Sequence, residues 1–214
     1  GVYGSSGGGT QTAYYIGLDP RVKVAAICSF FSTRERTMEL QGPSDGCQHL
    51  PYDGREQLEV PDFALMMAPR PLLILSGKYD FVDLWGAQQG FAELQQCYKV
   101  LGVPEKVDML TVETGHGLGT EKRQKLVSWF KRWLKDDQSP VKKSAQDRFR
   151  LSDMLCTTKG QVNVSMPGAL SIMQENVNQL DEWASKREAF LSKGKKTVQA
   201  KMLDLLGLKG LPDH

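Results

Sequence analysis

The chain has 214 residues, of which 40% are hydrophobic and 24% are charged, as expected for a globular domain of ordinary size with an appendage. Its formal net charge of +2 is too small to indicate binding to nucleic acid or to a membrane surface. No run of about 18 apolar residues occurs, so no membrane-spanning helix is predicted. The cysteines form no C-x-x-C pair and have no metal-ligand spacing with histidine, so neither a metal nor another cofactor is predicted: Cys28, Cys47, Cys97 and Cys156.

The first ten residues contain a G-x-S-x-G pattern in which Ser6 stands between Gly4 and Gly8. In this pattern the chain turns sharply from a strand into a helix, and the small residues on either side of the serine let the backbones pass. The serine hydroxyl is then exposed, and the backbone amide of Gly7 can form part of an oxyanion hole. A flexible glycine-rich linker is the alternative. The amphipathic-looking segment that follows, residues 11–18, favours the sharp turn.

Apolar runs and amphipathic segments alternate along the next part of the chain. Three apolar runs predict strands, at residues 22–31, 71–76 and 107–112, and the first two have the composition of buried strands. Helices are predicted at residues 8–18, 61–68, 83–101 and 120–134, with Thr120 as the cap of the last. The polar stretch 32–60, which contains several Gly and Pro residues, is predicted to pass over the carboxyl edge of the sheet. This order predicts an α/β fold with three parallel strands and flanking helices.

The composition of the chain changes after residue 136. We expect residues 1–136 to form the α/β domain and the charged residues 137–150 to form a linker. Residues 151–214 are expected to form a mainly helical extension, with short strands near 155–164 and helices at 170–191 and 197–206.

Three predicted strand ends carry, in chain order, Ser6, Asp80 and His116. A serine hydroxyl is a poor nucleophile at neutral pH and needs a base such as imidazole to remove its proton. A carboxylate fixes the imidazole tautomer and stabilises the imidazolium ion. Taken singly, His116 could be a surface histidine and Asp80 a turn residue. Their occurrence together, in order and at strand ends, predicts a catalytic triad.

Asp83 is an alternative acid for this triad. It lies at the start of a predicted helix, where aspartate commonly caps the first turn. Asp80 follows the strand more closely, so we favour it as the acid and expect Asp83 to be the helix cap.

With these motifs, residues 1–136 resemble the C-terminal half of an α/β-hydrolase of the acetyl xylan esterase-like group. Related branches are the cephalosporin deacetylase-type, glucuronoyl esterase-like and dienelactone hydrolase-like enzymes. The resemblance depends on the segments at residues 4–13, 68–74, 78–81 and 115–117. It implies that Ser6 is the nucleophile, Asp80 the acid and His116 the base. Residues 47–51 also resemble a loop of this group, but His49 stands where other residues are usual, so it receives no catalytic role.

The resemblance implies a serine-dependent carboxylic ester hydrolase that deacetylates or de-esterifies small-molecule or carbohydrate-linked esters. The first strands of that fold and the loop that supplies its second oxyanion amide have no counterpart here, so we expect a fragment of a longer hydrolase, inactive when isolated. The alternatives are a non-catalytic binding or scaffold fragment of a larger tandem protein and a peptidase of the same fold. The resemblance also favours a secreted or periplasmic enzyme. Nothing in the sequence indicates the oligomeric state.

Overall fold

The computed structural model describes residues 1–41, 48–141 and 149–208. The chain divides into two compact units, Gly1–Ser144 and Ala145–His214. Cys47, residues 142–148 of the expected linker and residues 209–214 of the expected extension lie outside the described residues. In the described part of the chain, no helix is long and apolar enough to cross a membrane.

The first unit contains a sheet of parallel strands whose carboxyl ends lie at one edge. Its four strands pair in chain order, as β1 (Val2–Ser5), β2 (Ala25–Cys28), β3 (Leu72–Gly77) and β4 (Val107–Val112). The predicted α/β class with parallel strands is therefore confirmed, but the sheet has four strands rather than three. The additional strand is β1, which the G-x-S-x-G pattern places before Ser6 but which is not among the three apolar runs; its backbone pairs with β2.

Five helices flank this sheet in the described residues of the first unit. They are α1 (Gly7–Tyr15), α2 (Arg34–Gln41), α3 (Val60–Leu65), α4 (Leu84–Val100) and α5 (Thr120–Lys135), and a 3-10 turn, Pro104–Lys106, precedes β4. Asp83 caps α4, as predicted, because its carboxylate accepts a hydrogen bond from the Gly86 amide at 2.7 Å. The prediction for Thr120 is wrong: this residue is already helical, and Gly119 occupies the cap position.

Two hydrophobic clusters cover opposite faces of the sheet, because neighbouring residues of a strand point to opposite sides. On one face, Ile27 and Ile74 pack with residues of α1, α3 and α4, such as Ala13, Ala64 and Leu94. On the other face, the neighbouring strand residues pack against Leu126 and Trp129 of α5. Burial on both faces explains why the central strands are almost wholly apolar in sequence.

The second unit is helical in the residues that the structure describes. A 3-10 turn, Leu151–Met154, precedes the helices α6 (Val162–Ser165), α7 (Ile172–Asn178), α8 (Leu180–Leu191) and α9 (Lys195–Leu205). The prediction of short strands near residues 155–164 is wrong. Turns around Gly160, which has φ 73°, lead directly into α6. The single helix expected at 170–191 is divided at Gln179, where α7 ends and α8 begins. No described residue of this unit is buried.

Candidate active site

Ser6 has a strained backbone conformation at the junction of β1 and α1. Its dihedral angles are φ 57° and ψ −123°, a combination that residues with a side chain rarely adopt. The Ser6 amide donates a hydrogen bond to the Cys28 carbonyl at 3.0 Å, and the Ser6 carbonyl accepts one from the Thr10 amide at 3.0 Å. These bonds hold Ser6 between the neighbouring strand and the first turn of the helix, so the sharp turn exists as predicted.

The glycines around Ser6 differ in how closely other atoms approach them. A Cβ atom on Gly4 would lie 1.9 Å from the Gly8 carbonyl oxygen, and one on Gly9 would lie 2.8 Å from the Cys28 carbonyl oxygen. A Cβ atom on Gly8 would meet open space. Sequence reasoning assigned the second close approach to Gly8, whereas the structure places it at Gly9, which faces the end of β2.

Gly7, the predicted oxyanion-binding residue, is the first residue of α1. The amide of a first helical residue has no acceptor within its own helix, and the positive end of the helix dipole lies there. A Cβ atom on Gly7 would also meet open space. The oxyanion role of Gly7 stays a prediction.

Asp80 and His116 are joined by a hydrogen bond beyond the ends of β3 and β4. His116 Nδ1 lies 2.8 Å from Asp80 Oδ1, and the side chains are 31% and 1% exposed, respectively. Burial acts to raise the pKa of Asp80, but hydrogen bonds from His116, the Val82 amide and Ser29 outweigh it, so this pKa is below its usual value. The carboxylate is therefore ionised at neutral pH. A proton on Nδ1 that is donated to this carboxylate leaves Nε2 of His116 free to act as a base.

The His116 loop, residues 113–119, packs closely against the end of β3. A Cβ atom on Gly77 would lie 2.6 Å from the Thr114 carbonyl oxygen and 2.7 Å from that of Gly115. The Tyr79 amide also donates a hydrogen bond to the Thr114 carbonyl at 3.1 Å. A glycine at the end of β3 thus allows the loop to bring His116 next to Asp80.

Ser6 and His116 line the same cleft at the carboxyl edge of the sheet. Its other lining residues are Ser29, Phe30, Ser32, Arg34, Thr37, Gln48, His49, Val60, Phe81 and Val82. The Phe81 ring stacks on the His116 ring, with a centroid distance of 4.4 Å and an interplanar angle of 20°. Within the described residues, no hydrogen bond joins the Ser6 hydroxyl to His116. Such contacts are often long in an enzyme without substrate and shorten when the substrate binds.

Arg34 ties the polar stretch of residues 48–59 to the helices beside the cleft. Its guanidinium group lies 2.5 Å from Asp53 Oδ2 and donates a hydrogen bond to the Tyr14 hydroxyl at 2.8 Å. It also contacts the His49 ring. Arg34 and Gln48 line the cleft, and sequence reasoning identified neither as a candidate. From the sequence alone, Arg34 would be taken for a solvent-exposed residue, because its partner Asp53 is distant from it in the chain.

A metal site is not evident in the described part of the chain, where no group of three or more His, Cys, Asp or Glu residues could hold an ion. The arrangement that remains is a strained serine at a helix N-terminus, near a histidine that is hydrogen-bonded to a buried carboxylate. Such a set can transfer a proton from the serine hydroxyl to the imidazole and stabilise negative charge at the helix end.

Three solved structures with a TM-score of 0.53 share the fold of this chain. A family 15 carbohydrate esterase, a glucuronoyl esterase from Caldicellulosiruptor kristjansonii, is 18% identical over 70% of this chain and 46% of its own. The glucuronoyl esterase catalytic domain from Hypocrea jecorina is 13% identical over 64% of this chain and 44% of its own. The glucuronoyl esterase from Sporotrichum thermophile is 17% identical over 65% and 45%.

This likeness shows that residues around the sheet have the α/β-hydrolase fold. The chain spans less than half the length of each of these three structures. No protein-family model and no curated protein sequence matches the chain at a significant level.

Proposed function

We propose that this chain, which has the fold of α/β-hydrolases, provides the catalytic residues of a serine-dependent carboxylic ester hydrolase. Ser6 is the nucleophile, His116 the base and Asp80 the acid of the triad. The main support is the joint geometry of these residues at one sheet edge. Ser6 has a φ of 57° at the start of α1, and His116 Nδ1 lies 2.8 Å from the Asp80 carboxylate.

The proposed reaction has two steps. The Ser6 oxygen attacks the acyl carbonyl carbon while Nε2 of His116 takes the hydroxyl proton, and the Gly7 amide donates a hydrogen bond to the developing oxyanion. The carbon–oxygen bond to the alcohol then breaks, and His116 returns the proton to the departing alcohol. In the second step, water loses a proton to His116 and attacks the acyl carbon. The bond from that carbon to the Ser6 oxygen then breaks, His116 returns the proton to Ser6, and the acid is released.

Carbohydrate-linked esters are the proposed substrate class, and two observations support this choice. Three solved structures that share the fold carry the name glucuronoyl esterase. The cleft also presents hydroxyl, amide and guanidinium groups beside Ser6, from residues such as Ser32, Gln48 and Arg34. Groups of this kind can form hydrogen bonds with sugar hydroxyls or with a carboxyl ester.

A fluorophosphonate probe tests the proposed nucleophile, because it reacts with a serine that a base has activated. We expect a wild-type preparation that includes any native residues encoded before Gly1 to be labelled and its Ser6→Ala variant to remain unlabelled. Ser5→Ala is the matched control and should be labelled like the wild type, since Ser5 lies next to Ser6 but its hydroxyl is buried. The 214-residue chain is compared with a preparation that includes any native residues encoded before Gly1.

The two preparations distinguish the possible outcomes. If the 214-residue chain is labelled at Ser6, the triad assembles from these residues alone. If only the longer preparation is labelled at Ser6, further residues complete the site. If Ser6 is labelled in neither, the hydrolase proposal is wrong and a binding role is favoured. Release of acetate from acetylated xylo-oligosaccharides, compared with release of methanol from a methyl glucuronate, then identifies the ester.

A further inference from the structure

Lys122 is buried in the first turn of α5 without a carboxylate partner among the described residues. Its side chain is among the largest that are fully buried in the described residues, and the residue is 1% exposed. Burial of an ammonium group is costly unless strong acceptors replace water. The acceptors here are the Gly117 carbonyl oxygen, 3.0 Å from Nζ, and the Ser29 hydroxyl oxygen, 3.3 Å from Nζ. Lys122 therefore connects the His116 loop to the end of β2.

Ser29 follows β2 and has a second strained conformation at this edge of the sheet, with φ 49°. Its hydroxyl oxygen accepts hydrogen bonds from the Gly117 amide at 3.1 Å and from Lys122. A hydroxyl group has two acceptor positions and one donor. The two strong donors occupy the acceptor positions, so the hydroxyl proton is available for a different neighbour.

The neighbour that needs this proton is the second carboxylate oxygen of Asp80. Oδ1 accepts hydrogen bonds from His116 and from the Val82 amide at 3.1 Å. Oδ2 is buried, and in the described residues it has no partner with ordinary hydrogen-bond geometry. Ser29 nevertheless lies close enough to lower the pKa of Asp80. Ser29 follows β2, and its amide bonds to the Leu75 carbonyl of β3, the strand that leads to Asp80, so the two residues lie at the same edge of the sheet.

We propose that Ser29 and Lys122 are positioning residues for the Asp80–His116 pair, with Ser29 donating its hydroxyl proton to Asp80 Oδ2. Lys122 fixes Ser29 and holds the backbone of the His116 loop through Gly117. The proposal rests on the roles proposed above for Asp80 and His116, but it concerns how their hydrogen bond is maintained. Both residues act through Asp80 and the His116 loop in this scheme, although Ser29 also lines the cleft.

The titration of the His116 ring, followed by NMR, tests this role without any substrate. The titratable and charged groups near His116 are Asp80, which it contacts, Lys122 and Cys28, which contact the neighbouring Gly117, and Arg34 and His49, which line the same cleft. The chain has three histidines, so a His116→Gln variant identifies the signal. We compare Ser29→Ala and Lys122→Met with the control Lys125→Met, which removes a partly exposed charge from the same helix.

We expect the His116 titration midpoint to rise by about half a pH unit or more in Ser29→Ala and in Lys122→Met. Loss of a donor or a nearby cation leaves the Asp80 carboxylate less stabilised, so it attracts the protonated ring more strongly. Lys125→Met should leave the midpoint unchanged. If these residues had only a structural role, their substitution would loosen the loop, and the His116 midpoint would stay the same or fall. That result would overturn the proposal. Ser29→Ala removes one oxygen atom, and it decides the question if Lys122→Met does not fold.

Kinetics provide a second measurement that separates this proposal from the hydrolase proposal. We expect kcat, corrected for the fraction of protein that fluorophosphonate labels, to fall about tenfold in Ser29→Ala with little change in KM. If the His116 midpoint rises but the wild type neither reacts with the probe nor hydrolyses esters, the positioning role stands and the hydrolase proposal fails. If the wild type is active and neither the midpoint nor kcat changes, the positioning proposal fails.

Discussion

Ser6 and Ser29 occupy equivalent places after neighbouring strands, and both have a positive φ, of 57° and 49°. They lie side by side because the register pairs Ser5 with Cys28. Each is held by a hydrogen bond from its amide to the next strand, to the Cys28 carbonyl at 3.0 Å and to the Leu75 carbonyl at 2.9 Å. Strained residues of this kind cluster at functional sites. The strain is thus concentrated at the edge of the sheet that carries the candidate active site.

The two glycines that frame Ser6 should respond differently to substitution. Gly4→Ala would place a Cβ atom 1.9 Å from the Gly8 carbonyl oxygen, whereas Gly8→Ala would place one in open space within a helix. We expect Gly4→Ala to lower the free energy of unfolding by about 2–3 kcal/mol. Gly8→Ala should leave it unchanged or raise it by about 0.5 kcal/mol. Urea unfolding of both variants checks this, and equal stabilities would contradict the close approach at Gly4.

The stability of the first unit should depend on the ionisation of Asp80. Its pKa is below the usual value, so the carboxylate stabilises the folded state above the ordinary titration range of aspartate, near pH 4. This contribution is lost as the pH falls through the lowered value. Between pH 6 and pH 3, the free energy of unfolding should therefore fall more for the wild type than for Asp80→Asn, as measured by urea unfolding at each pH. Parallel pH curves for the two proteins would contradict the expected contribution.

Sequence reasoning found the residues of the proposed triad because each one follows a recognisable strand or lies within a known turn pattern. It missed Ser29 and Lys122. A lysine near the start of an amphipathic helix is typically exposed to solvent. The burial of Lys122 depends on its contact with Ser29, which is far from it in the sequence. Ser29 lies within an apolar run and carries no motif. Such contacts between distant segments are not encoded in local spacing.

At the scale of single elements, α4 shows how one residue can have a structural role next to a proposed catalytic one. The Asp83 carboxylate accepts a hydrogen bond from the Gly86 amide and lies 3.4 Å from the Arg36 guanidinium. We expect Asp83→Ala to lower the free energy of unfolding by about 1 kcal/mol, while Asp83→Asn, which can still cap the helix, has a small effect. Thermal or urea unfolding measures this difference.

Substitutions of Asp83 and of Asp80 distinguish the two candidate acids of the triad. Asp83→Ala should retain labelling of Ser6 by fluorophosphonate, whereas Asp80→Asn should lose most of it, because the imidazole tautomer is no longer fixed. Loss of labelling in Asp83→Ala, with the protein still folded, would transfer the acid role to Asp83.

The strands of the first unit were more predictable than the ends of its helices. Buried parallel strands such as β3 are continuous apolar runs, so their sequence alone identifies them. The run at residues 22–31 forms a strand only at Ala25–Cys28, because Ser29 departs from the extended conformation. Helix ends depend on backbone details, as at Thr120, where Gly119 takes the cap position. Among the described residues of the second unit, no buried face constrains the local pattern.

At the scale of the whole chain, the two units differ in how much of each is buried. The strands β2 and β3 are buried along their entire length, whereas no described residue of 149–208 is buried. Amides in the hydrophobic core exchange with solvent only when large parts of a protein open, and those in poorly packed helices exchange readily. We expect hydrogen exchange measured by mass spectrometry to show slow exchange in β3 and rapid exchange in α8 and α9. Comparable protection in both regions would contradict this expectation.

The stacking of Phe81 on His116 has a magnetic consequence. The two rings are 20° from parallel, and their centroids are 4.4 Å apart, so protons of the imidazole lie over the face of the phenyl ring. The ring current of Phe81 should shift their resonances to lower frequency than those of an ordinary histidine. This displaced signal would disappear in a Phe81→Leu variant, and in the wild type it would report directly on whether a bound substrate separates the two rings.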